Sequence, residues 1–249
     1  MKSLFRRFLT IIFRNRFFTL TRSRNVIPSF RLAQSRIELL GLYEVQLVLD
    51  IGANRGQWAL EVIRNGFSKS LISFEPITRA FNELRDNSNS HRNWKAHNLA
   101  IGAMDESKLI NVAGNNELSS SFLEMENAHL QAAPDSQYIR EELVEVSNIN
   151  NWLNPSQKTY LKIDTQGYEM EILKSIEDDK WSSICTLEIE TSVIKTYDQP
   201  YLIEDVILFL RSKGYQPYRF ENGLAAKPFG QQLQIDIIFV NKFQRLCEL

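Results

Sequence analysis

Short apolar runs alternate with amphipathic stretches along most of the chain, beginning near residue 45. Four short runs are mostly apolar, which predicts buried strands at residues 45–51, 71–74, 160–163 and 184–189. The stretches between and after them predict helices at residues 55–65, 78–87, 168–176 and 201–213. Strands that alternate with helices in this way favour an α/β fold with a parallel sheet and right-handed crossovers.

Two segments depart from this rhythm. The closing motifs "YQPYRFEN" and "LQIDIIFVNK" have no helix between them, so they predict a hairpin that places an antiparallel strand in the sheet. Residues from about 105 to 151 hold two strand-like motifs, "KLINVA" and "ELVEVS", around a polar segment. A long insertion in a compact domain is functional or mobile, and we expect a flap over the substrate here.

Charge separates the beginning of the chain from the rest. The 249 residues have a net charge of −1, which argues against a nucleic-acid partner, yet residues 1–37 carry nine basic side chains and no acid. We therefore divide the chain into a basic amphipathic helical extension at residues 1–44 and a main domain at residues 45–249. The extension either lies on an anionic membrane surface as a peripheral contact or docks on the domain with its arginines exposed.

The expected location is cytoplasmic, with a peripheral position on the inner face of the membrane if the extension binds lipid. The uncharged apolar run in the extension is too short to span a bilayer, and no convincing signal-peptide cleavage site follows it. Cys185 and Cys247 form neither a disulfide framework nor a metal cluster. Oligomeric state cannot be inferred from these features.

The motif "LVLDIGANRGQW" ends a strand at Asp50 and continues through Gly52, Ala53, Asn54 and Gly56 into a helix. Ligands of parallel sheets bind beyond the carboxyl ends of the strands, where glycines permit tight turns and helix N–H groups point outward. A carboxylate would repel a pyrophosphate but attract a cationic amino-acid group. The loop therefore favours S-adenosylmethionine over a nicotinamide dinucleotide.

Two later strand ends agree with a bound nucleoside. Glu75, in "LISFEP", follows Asp50 by 25 residues and can accept hydrogen bonds from both ribose hydroxyls, as an acid also does in nicotinamide enzymes. Pro76 lies next to it. Asn98, in "HNLAIG", falls where a third strand would end and is expected at the adenine edge.

A catalytic corner is predicted from "YLKIDTQGYEME" and "TLEIE". Lys162 and Asp164 share one sheet face, and Glu169 opens the next helix, where the helix dipole also favours an acid. Either Glu188 or Glu190 is expected to reach the same crevice. Asp164 or Glu190 can accept a proton from a hydroxyl, and a pair of acids can alternatively hold a divalent cation, although no metal site is predicted. Weaker candidates for a base or for acceptor binding are His97, His129 and residues 119–121.

Taken together, these motifs resemble the FkbM family of S-adenosylmethionine-dependent methyltransferases. The matching motifs are "VLDIGANRGQW", "SFEP", "NLAIG", "SSSF", "YLKIDTQGYEMEILK" and "LEIE", and the closing strands extend the resemblance to about residue 240. The resemblance implies a class I methyltransferase, Rossmann-like sheet of seven strands, mostly parallel with an antiparallel last strand and helices on both faces. It also places the cofactor-loop residues on Asp50, Gly52, Asn54 and Gly56, and the ribose acid on Glu75.

The expected function is O-methyl transfer to a hydroxyl of a sugar or glycan, such as a lipid-linked or cell-surface polysaccharide. The alternatives are a nicotinamide-dependent oxidoreductase, against which the missing G-x-G-x-x-G loop speaks, and a non-catalytic cofactor-binding protein. One departure from the family is Gln166 in "DTQG", where many members have an acid. The chain therefore carries a neutral amide where those members carry a charge.

Overall fold

The computed structural model describes residues 32–198, 200–228 and 230–241. The strands are β1 (Leu47–Ile51), β2 (Ser70–Phe74), β3 (Trp94–His97), β4 (Ala100–Gly102), β5 (Glu106–Ala113), β6 (Tyr138–Asn148), β7 (Thr159–Ile163), β8 (Ile184–Ser192), β9 (Tyr215–Asn222), β10 (Ala225–Ala226), β11 (Gln231–Gln232) and β12 (Gln234–Asn241). The α-helices are α1 (Leu32–Leu42), α2 (Gln57–Arg64), α3 (Thr78–Ser88), α4 (Asn127–Ala132), α5 (Glu169–Ser175) and α6 (Ile203–Ser212).

The main sheet contains seven strands in the order β3-β2-β1-β7-β8-β12-β9. Strands β3, β2, β1, β7 and β8 pair in parallel with their neighbours in the sheet, and β12 is antiparallel to both β8 and β9. This arrangement confirms the predicted class I sheet and its closing hairpin. The predicted antiparallel strand lies between β8 and β9, so the edge strand is β9, which runs in the same direction as the parallel strands.

Two apolar clusters cover the two faces of the sheet, and alternate residues of the central strands enter each cluster. On one face, Leu49 and Leu161 pack with apolar side chains of α5 and α6. On the other, Val48 and Tyr160 pack with apolar side chains of α1, α2 and α3. Because β1 and β7 are covered on both faces, every residue in them is buried, which explains why apolar residues occupy both faces of each strand.

Two strands of the predicted insertion, β5 and β6, join β4, which precedes the insertion, in a second sheet. The order of the three strands is β4-β6-β5. Strands β5 and β6 are the two expected from "KLINVA" and "ELVEVS", and they form an antiparallel pair. An apolar cluster that includes Ile77, Val112 and Val146 joins this sheet to the start of α3. We call residues 105–151 the flap, as predicted.

Helix α1 packs within the main domain, so the domain boundary predicted at residue 44 differs from the structure. The compact unit that contains the sheet begins at Leu32. Leu39, Leu40 and Tyr43 are buried in the cluster shared with α2 and α3. The rest of the proposed extension, residues 1–31, lies outside the described residues. Among those described, no helix combines the length and apolar character needed to cross a bilayer.

Candidate active site

A crevice opens at the carboxyl ends of β1, β2 and β7, where the sequence predicted the ligand site. Its volume, including space open to solvent, is about 640 Å³. Gly52, Asn54 and Glu75 line it from the first two strand ends, and Asp164 and Gln166 line it from the end of β7. The flap forms part of the wall through side chains that include Glu117, Leu118 and Phe122.

The two loop glycines are required by neighbouring protein groups. Gly52 has φ +76, and a Cβ there would lie 1.8 Å from the backbone oxygen of Asp164. Gly56 has φ +83, and its Cβ would lie 2.6 Å from the ring of Trp94. The glycines therefore let the loop cross the end of β7 and let α2 begin over β3. The predicted tight turn is present, but Gly56 does not line the crevice.

Asp50 lies beneath the loop and does not face the crevice. Its side chain is fully buried, one oxygen accepts a hydrogen bond from Ser73 Oγ at 2.9 Å, and the other is 3.6 Å from Lys162 Nζ. Burial raises the pKa of Asp50, and the Lys162 ammonium opposes that shift. The expected contact between Asp50 and the cationic end of the cofactor is therefore not supported by this geometry.

Lys162 holds the loop and the catalytic corner together. Its ammonium donates to Asp164 Oδ2 at 3.2 Å and to the backbone oxygen of Gly52 at 3.4 Å. Burial alone would lower the pKa of Lys162, but the carboxylates of Asp164 and Asp50 outweigh it and raise that pKa above its usual value. Lys162 therefore remains charged and positions Asp164, and it is unsuited to the proton transfer implied by its inclusion among the catalytic candidates.

Glu75 is the strand-end acid that does face the crevice. Its two carboxylate oxygens accept hydrogen bonds from the backbone N–H groups of Asn54 and Ile77, each at 2.8 Å. The side chain is only 5% exposed, and burial raises the pKa of Glu75 to about 7. The two backbone donors fix its orientation while leaving one lone pair on each oxygen for a ligand.

Of the remaining residues predicted to bind the cofactor, one lines the crevice and two lie behind its wall. Pro76 lines the crevice. Asn98 supports the loop, because its Nδ2 donates to the backbone oxygens of Glu75 and Pro76 at 2.9 and 2.8 Å. Ala53 is buried against α2 and α3 and does not line the crevice.

Asp164 and Glu190 are joined by one side chain, Gln166. The Gln166 Nε2 donates to Asp164 Oδ1 at 2.8 Å and to Glu190 Oε2 at 2.7 Å. The Asp164 side chain is 33% exposed, and it borders the crevice, whereas Glu190 does not. Burial, and then the charge of Asp164, raise the pKa of Glu190 well above its usual value. The predicted pair therefore meets, but of the two acids only Asp164 lines the crevice.

Glu169 stabilises the turn that precedes α5. Its carboxylate accepts hydrogen bonds from the backbone N–H groups of Thr165 and Gly167 at 2.8 and 3.1 Å. Burial raises the pKa of Glu169 to about 7. Because the side chain is 7% exposed and does not line the crevice, its geometry favours a turn-capping role over the predicted catalytic one.

Glu188 belongs to a buried network with α1. Arg36 forms an ion pair with it, and Trp58 Nε1 and Tyr160 OH donate to the same carboxylate at 3.2 and 2.6 Å. Arg36 also contacts Glu61 at 3.2 Å. Of the two acids in "TLEIE", Glu190 is therefore the one near the crevice, as Glu188 is enclosed by α1 and α2.

The weaker candidates have structural partners within the protein, and of them Ser120 also lines the crevice. His129 is 2% exposed and lies 3.2 Å from Ser119 Oγ, and burial lowers its pKa to about 4. His97 packs beside the rings of Phe74 and Trp152. Two of the three flap serines hydrogen-bond to backbone groups of the chain. Within the part of the chain that the structure describes, no group of three or more potential ligands could hold a metal ion.

Several residues of the site were not predicted as site residues. Glu117 enters from the flap, 3% exposed, and its carboxylate pairs with Arg55 at 2.8 Å. Tyr197 reaches the catalytic corner from the segment after β8 through a hydrogen bond to Gln166, and Gln234 reaches it from the start of β12 through a hydrogen bond to Glu190. No local motif marks these residues, because each depends on a contact between distant parts of the chain.

Comparison with known proteins finds a methyltransferase relative. The curated protein Methyltransferase 1 of Beauveria bassiana (strain ARSEF 2860) is 24% identical over 157 residues, which cover 57% of this chain and 63% of that protein. The chain thus matches less than two thirds of that relative's length.

Solved structures with a similar fold include two bacterial enzymes. Magnesium protoporphyrin IX methyltransferase from Synechocystis PCC 6803 with bound SAH has 10% identity and a TM-score of 0.46, with 84% of this chain and 81% of that chain covered. Precorrin-6y C5,15-methyltransferase from Geobacter metallireducens GS-15 has 13% identity and a TM-score of 0.45, with 88% and 92% covered. At these identities the likeness concerns the fold alone.

The family comparison is decisive for the chain itself. The model of the methyltransferase FkbM domain matches residues 50–217, which are more than half of the chain and include every strand end around the crevice. S-adenosylmethionine, predicted from the loop, is the cofactor that this match supports. The chain therefore belongs to the FkbM methyltransferase family.

Proposed function

We propose that the protein is an S-adenosylmethionine-dependent O-methyltransferase that methylates a hydroxyl of a sugar or glycan, with lipid-linked and cell-surface polysaccharides as the candidate acceptors. The observation that carries the proposal is the position of Asp164. It is a partly exposed carboxylate at the edge of the crevice, held by Lys162 beside the loop that follows β1.

The groups around the crevice fit S-adenosylmethionine. Glu75 offers one free lone pair on each carboxylate oxygen, which suits the two ribose hydroxyls. Apolar side chains, among them Phe74, Ile77 and Ile101, line the crevice beside it and suit the flat face of an adenine. When bound, the cofactor supplies a methyl group activated by its sulfonium.

The catalytic role assigned to this chain is orientation and proton removal. In-line methyl transfer needs an acceptor oxygen about 3–3.5 Å from the methyl carbon and a group that takes its proton. Asp164 is the acid of the corner that both borders the crevice and is partly exposed. It accepts the hydroxyl proton on Oδ1 or Oδ2, while Lys162 and Gln166 hold the carboxylate in place.

Polar side chains on the crevice wall support a polyhydroxylated acceptor. Asn54, Ser120 and Thr165 line the crevice together with Asp164, and each is partly exposed. Their amide and hydroxyl groups can form the directional hydrogen bonds by which hydroxyl-rich ligands are oriented. The basic N-terminal sequence motivates the lipid-linked or cell-surface origin of the acceptor.

The test is methyl transfer from tritiated S-adenosylmethionine into extracts of the source organism separated into glycans, lipids, nucleic acids and small metabolites. We expect label in the carbohydrate or glycolipid fraction, and mass spectrometry of the hydrolysed product should identify an O-methyl sugar. Label found only in another fraction would refute the acceptor. Calorimetric binding of NAD in preference to S-adenosylmethionine would instead favour the oxidoreductase alternative.

Cofactor affinity is expected to rise with pH through Glu75. Because burial raises the pKa of Glu75 to about 7, the folded protein carries a proton there at pH 6. Ribose hydroxyls that donate to the carboxylate favour its ionised form, so binding below pH 7 must release that proton. We expect affinity for S-adenosylmethionine to increase about tenfold from pH 6 to 8. Titration calorimetry in two buffers of different ionisation enthalpy measures both quantities.

The Glu75→Gln variant is the direct control for this pH dependence. We expect it to bind about 10–100-fold more weakly at pH 8, because hydrogen bonds to a charged acceptor contribute roughly 1.5–3 kcal/mol. It should also lose most of the pH dependence. Glu169→Gln is the matched control, because burial also raises the pKa of Glu169 to about 7 but Glu169 does not line the crevice. This variant should retain the pH dependence of cofactor binding. Equal pH profiles for wild type and Glu75→Gln would contradict the ribose assignment.

A peripheral membrane contact through the basic N-terminal sequence is the second part of the proposal. Its test is flotation with liposomes containing anionic or only neutral lipids. The deletion should end at residue 31, because removal of residues 1–44 would also remove α1 and Arg36. We expect the full chain, but not the chain lacking residues 1–31, to float with anionic liposomes, and less so in high salt. Equal flotation of both forms would exclude this role.

A further inference from the structure

Gln166 has an unusual backbone conformation, and both the nitrogen and the oxygen of its side-chain amide are hydrogen-bonded within the protein. It adopts φ +56, in the left-handed region that residues other than glycine rarely occupy. Its Nε2 donates to Asp164 and Glu190, and its Oε1 accepts a hydrogen bond from Tyr197 OH at 2.6 Å. The reverse orientation of the amide would turn its oxygen toward two carboxyl groups, so the bonding pattern allows one orientation.

The flap fixes this residue from the other side. Ser121 Oγ donates to the backbone oxygen of Gln166 at 2.7 Å, and Ser121 is fully buried. Tyr197 OH lies 3.3 Å from the backbone oxygen of Ser119. The bridge between the two acids is therefore tied at its backbone and its side chain to the segment that walls the crevice.

An amide is the side chain whose charge and donors suit this position. It supplies two N–H donors to two carboxyl groups and adds no charge. A glutamate at position 166 would place a third carboxyl group between Asp164 and Glu190, and hydrogen bonds among the three would require additional protons. Like charges at such short range raise the pKa of the group that must ionise.

We propose that Gln166 is a positioning residue: its amide holds the Asp164 carboxylate toward the crevice, braced against Glu190, and thereby keeps Asp164 available as the base. This inference rests on the proposed methyl transfer and goes beyond it, because it assigns a function to Gln166. Gln166 acts through Asp164 and receives no proton itself.

The charged and titratable groups that face this pair come from several elements. They are Lys162 on β7, Glu169 on α5, Asp50 on β1, Asp236 on β12 and Tyr197 in the segment after β8. All of these groups except Lys162 are carboxylic acids or a phenol. A further carboxyl group would therefore add to an existing excess of acidic over basic groups. The neutral amide avoids that increase.

Two variants of the full chain test the proposal with the carbohydrate fraction that the wild type labels. Gln166→Met keeps the length of the side chain but removes the bridge, and we expect kcat to fall about 10–100-fold while KM for S-adenosylmethionine changes less than about twofold. Gln166→Glu keeps the shape and the contact with Tyr197. We expect its rate to require higher pH, with the acidic limb of the pH profile moved up by about one unit or more.

Gln234→Met is the matched control. Gln234 Nε2 donates to the same Glu190 oxygen at 2.8 Å, and no hydrogen bond links it to Asp164. We expect a smaller loss of kcat and no displacement of the acidic limb. Thermal unfolding of each variant identifies a general loss of folding, and Gln166→Glu decides the question if Gln166→Met does not fold. Wild-type kcat and pH profile in both Gln166 variants would overturn the proposal.

A measurement without an acceptor separates this inference from the proposed function. If the wild type labels no fraction, the proposed function has failed, and NMR of ¹³C-labelled Asp and Glu carboxyl groups still tests Gln166. Asp164→Asn identifies the Asp164 resonance. We expect its titration midpoint to rise by about one unit or more in Gln166→Glu. An unchanged midpoint would contradict the positioning role.

Discussion

Replacement of Asp164 by Asn is expected to lower the rate of methyl transfer by about 10²–10⁴-fold, which is the range associated with loss of a general acid or base. The amide has nearly the same shape and can still accept from Lys162, but it cannot take a proton from an acceptor hydroxyl. Asp164 borders the crevice with a partly exposed side chain. The rate is measured with tritiated S-adenosylmethionine and the fraction that the wild type labels, and cofactor affinity is measured by calorimetry.

Glu190→Gln is the matched comparison for this loss. Glu190 accepts from the same Gln166 amide but does not line the crevice, so its replacement should reduce the rate by about tenfold at most, the equivalent of one hydrogen bond. Cofactor affinity should change little in both variants. Full activity in Asp164→Asn, or a larger loss of rate in Glu190→Gln than in Asp164→Asn, would contradict the assignment of Asp164 as the base.

Replacement of Arg36 by Met is expected to destabilise the fold by about 3–5 kcal/mol, the usual cost of leaving a buried charge without its partner. The Arg36 side chain is 7% exposed and the Glu188 side chain 3%. The Arg36 Nε donates to Glu188 Oε2 at 2.8 Å, and its guanidinium lies 5.4 Å from the centre of the Trp58 ring. For a domain of this size, the loss corresponds to roughly 6–20 °C in Tm, which thermal unfolding followed by circular dichroism measures.

Two controls isolate the buried charge as the cause. The double variant Arg36→Met with Glu188→Gln should recover most of the lost stability, because the amide is uncharged and its oxygen still accepts from Trp58 or Tyr160. Arg140→Met removes an exposed ion pair with Glu142 and should cost less than about 1 kcal/mol. Similar Tm values for Arg36→Met and Arg140→Met would contradict a stabilising role for the Arg36–Glu188 pair.

The main strands and helices were predictable because their signals are local. Strand β1 is buried on both faces and is apolar except for Asp50, and α6 carries apolar residues at helical spacing and ends before Gly214. The two flap strands were also expected, although their association with β4 in a separate sheet was not. The N-terminal boundary was misplaced because basic composition does not reveal that Arg36 faces a buried acid 152 residues away.

The site was predictable in position but only partly in detail. Asp50 and Glu75 give the same signal in the sequence, an acid at the end of a strand. Asp50 is covered by the loop and bonded to Ser73, whereas Glu75 follows β2 and turns toward the crevice. Glu188 and Glu190 likewise lie two residues apart, and the covering of Glu188 by α1 and α2 distinguishes them.

The sequence by itself determined the order of strands and helices, the acid-and-glycine turn after β1 and the family to which the chain is similar, because these depend on residues close together in the chain. Only the tertiary structure decided which acids face the crevice, that Lys162 stays charged and positions Asp164, and that Gln166 bridges Asp164 and Glu190. The physical reason is that burial and hydrogen-bond partners are set by segments far apart in sequence. Those two factors determine whether a carboxyl group is exposed, ionised or enclosed.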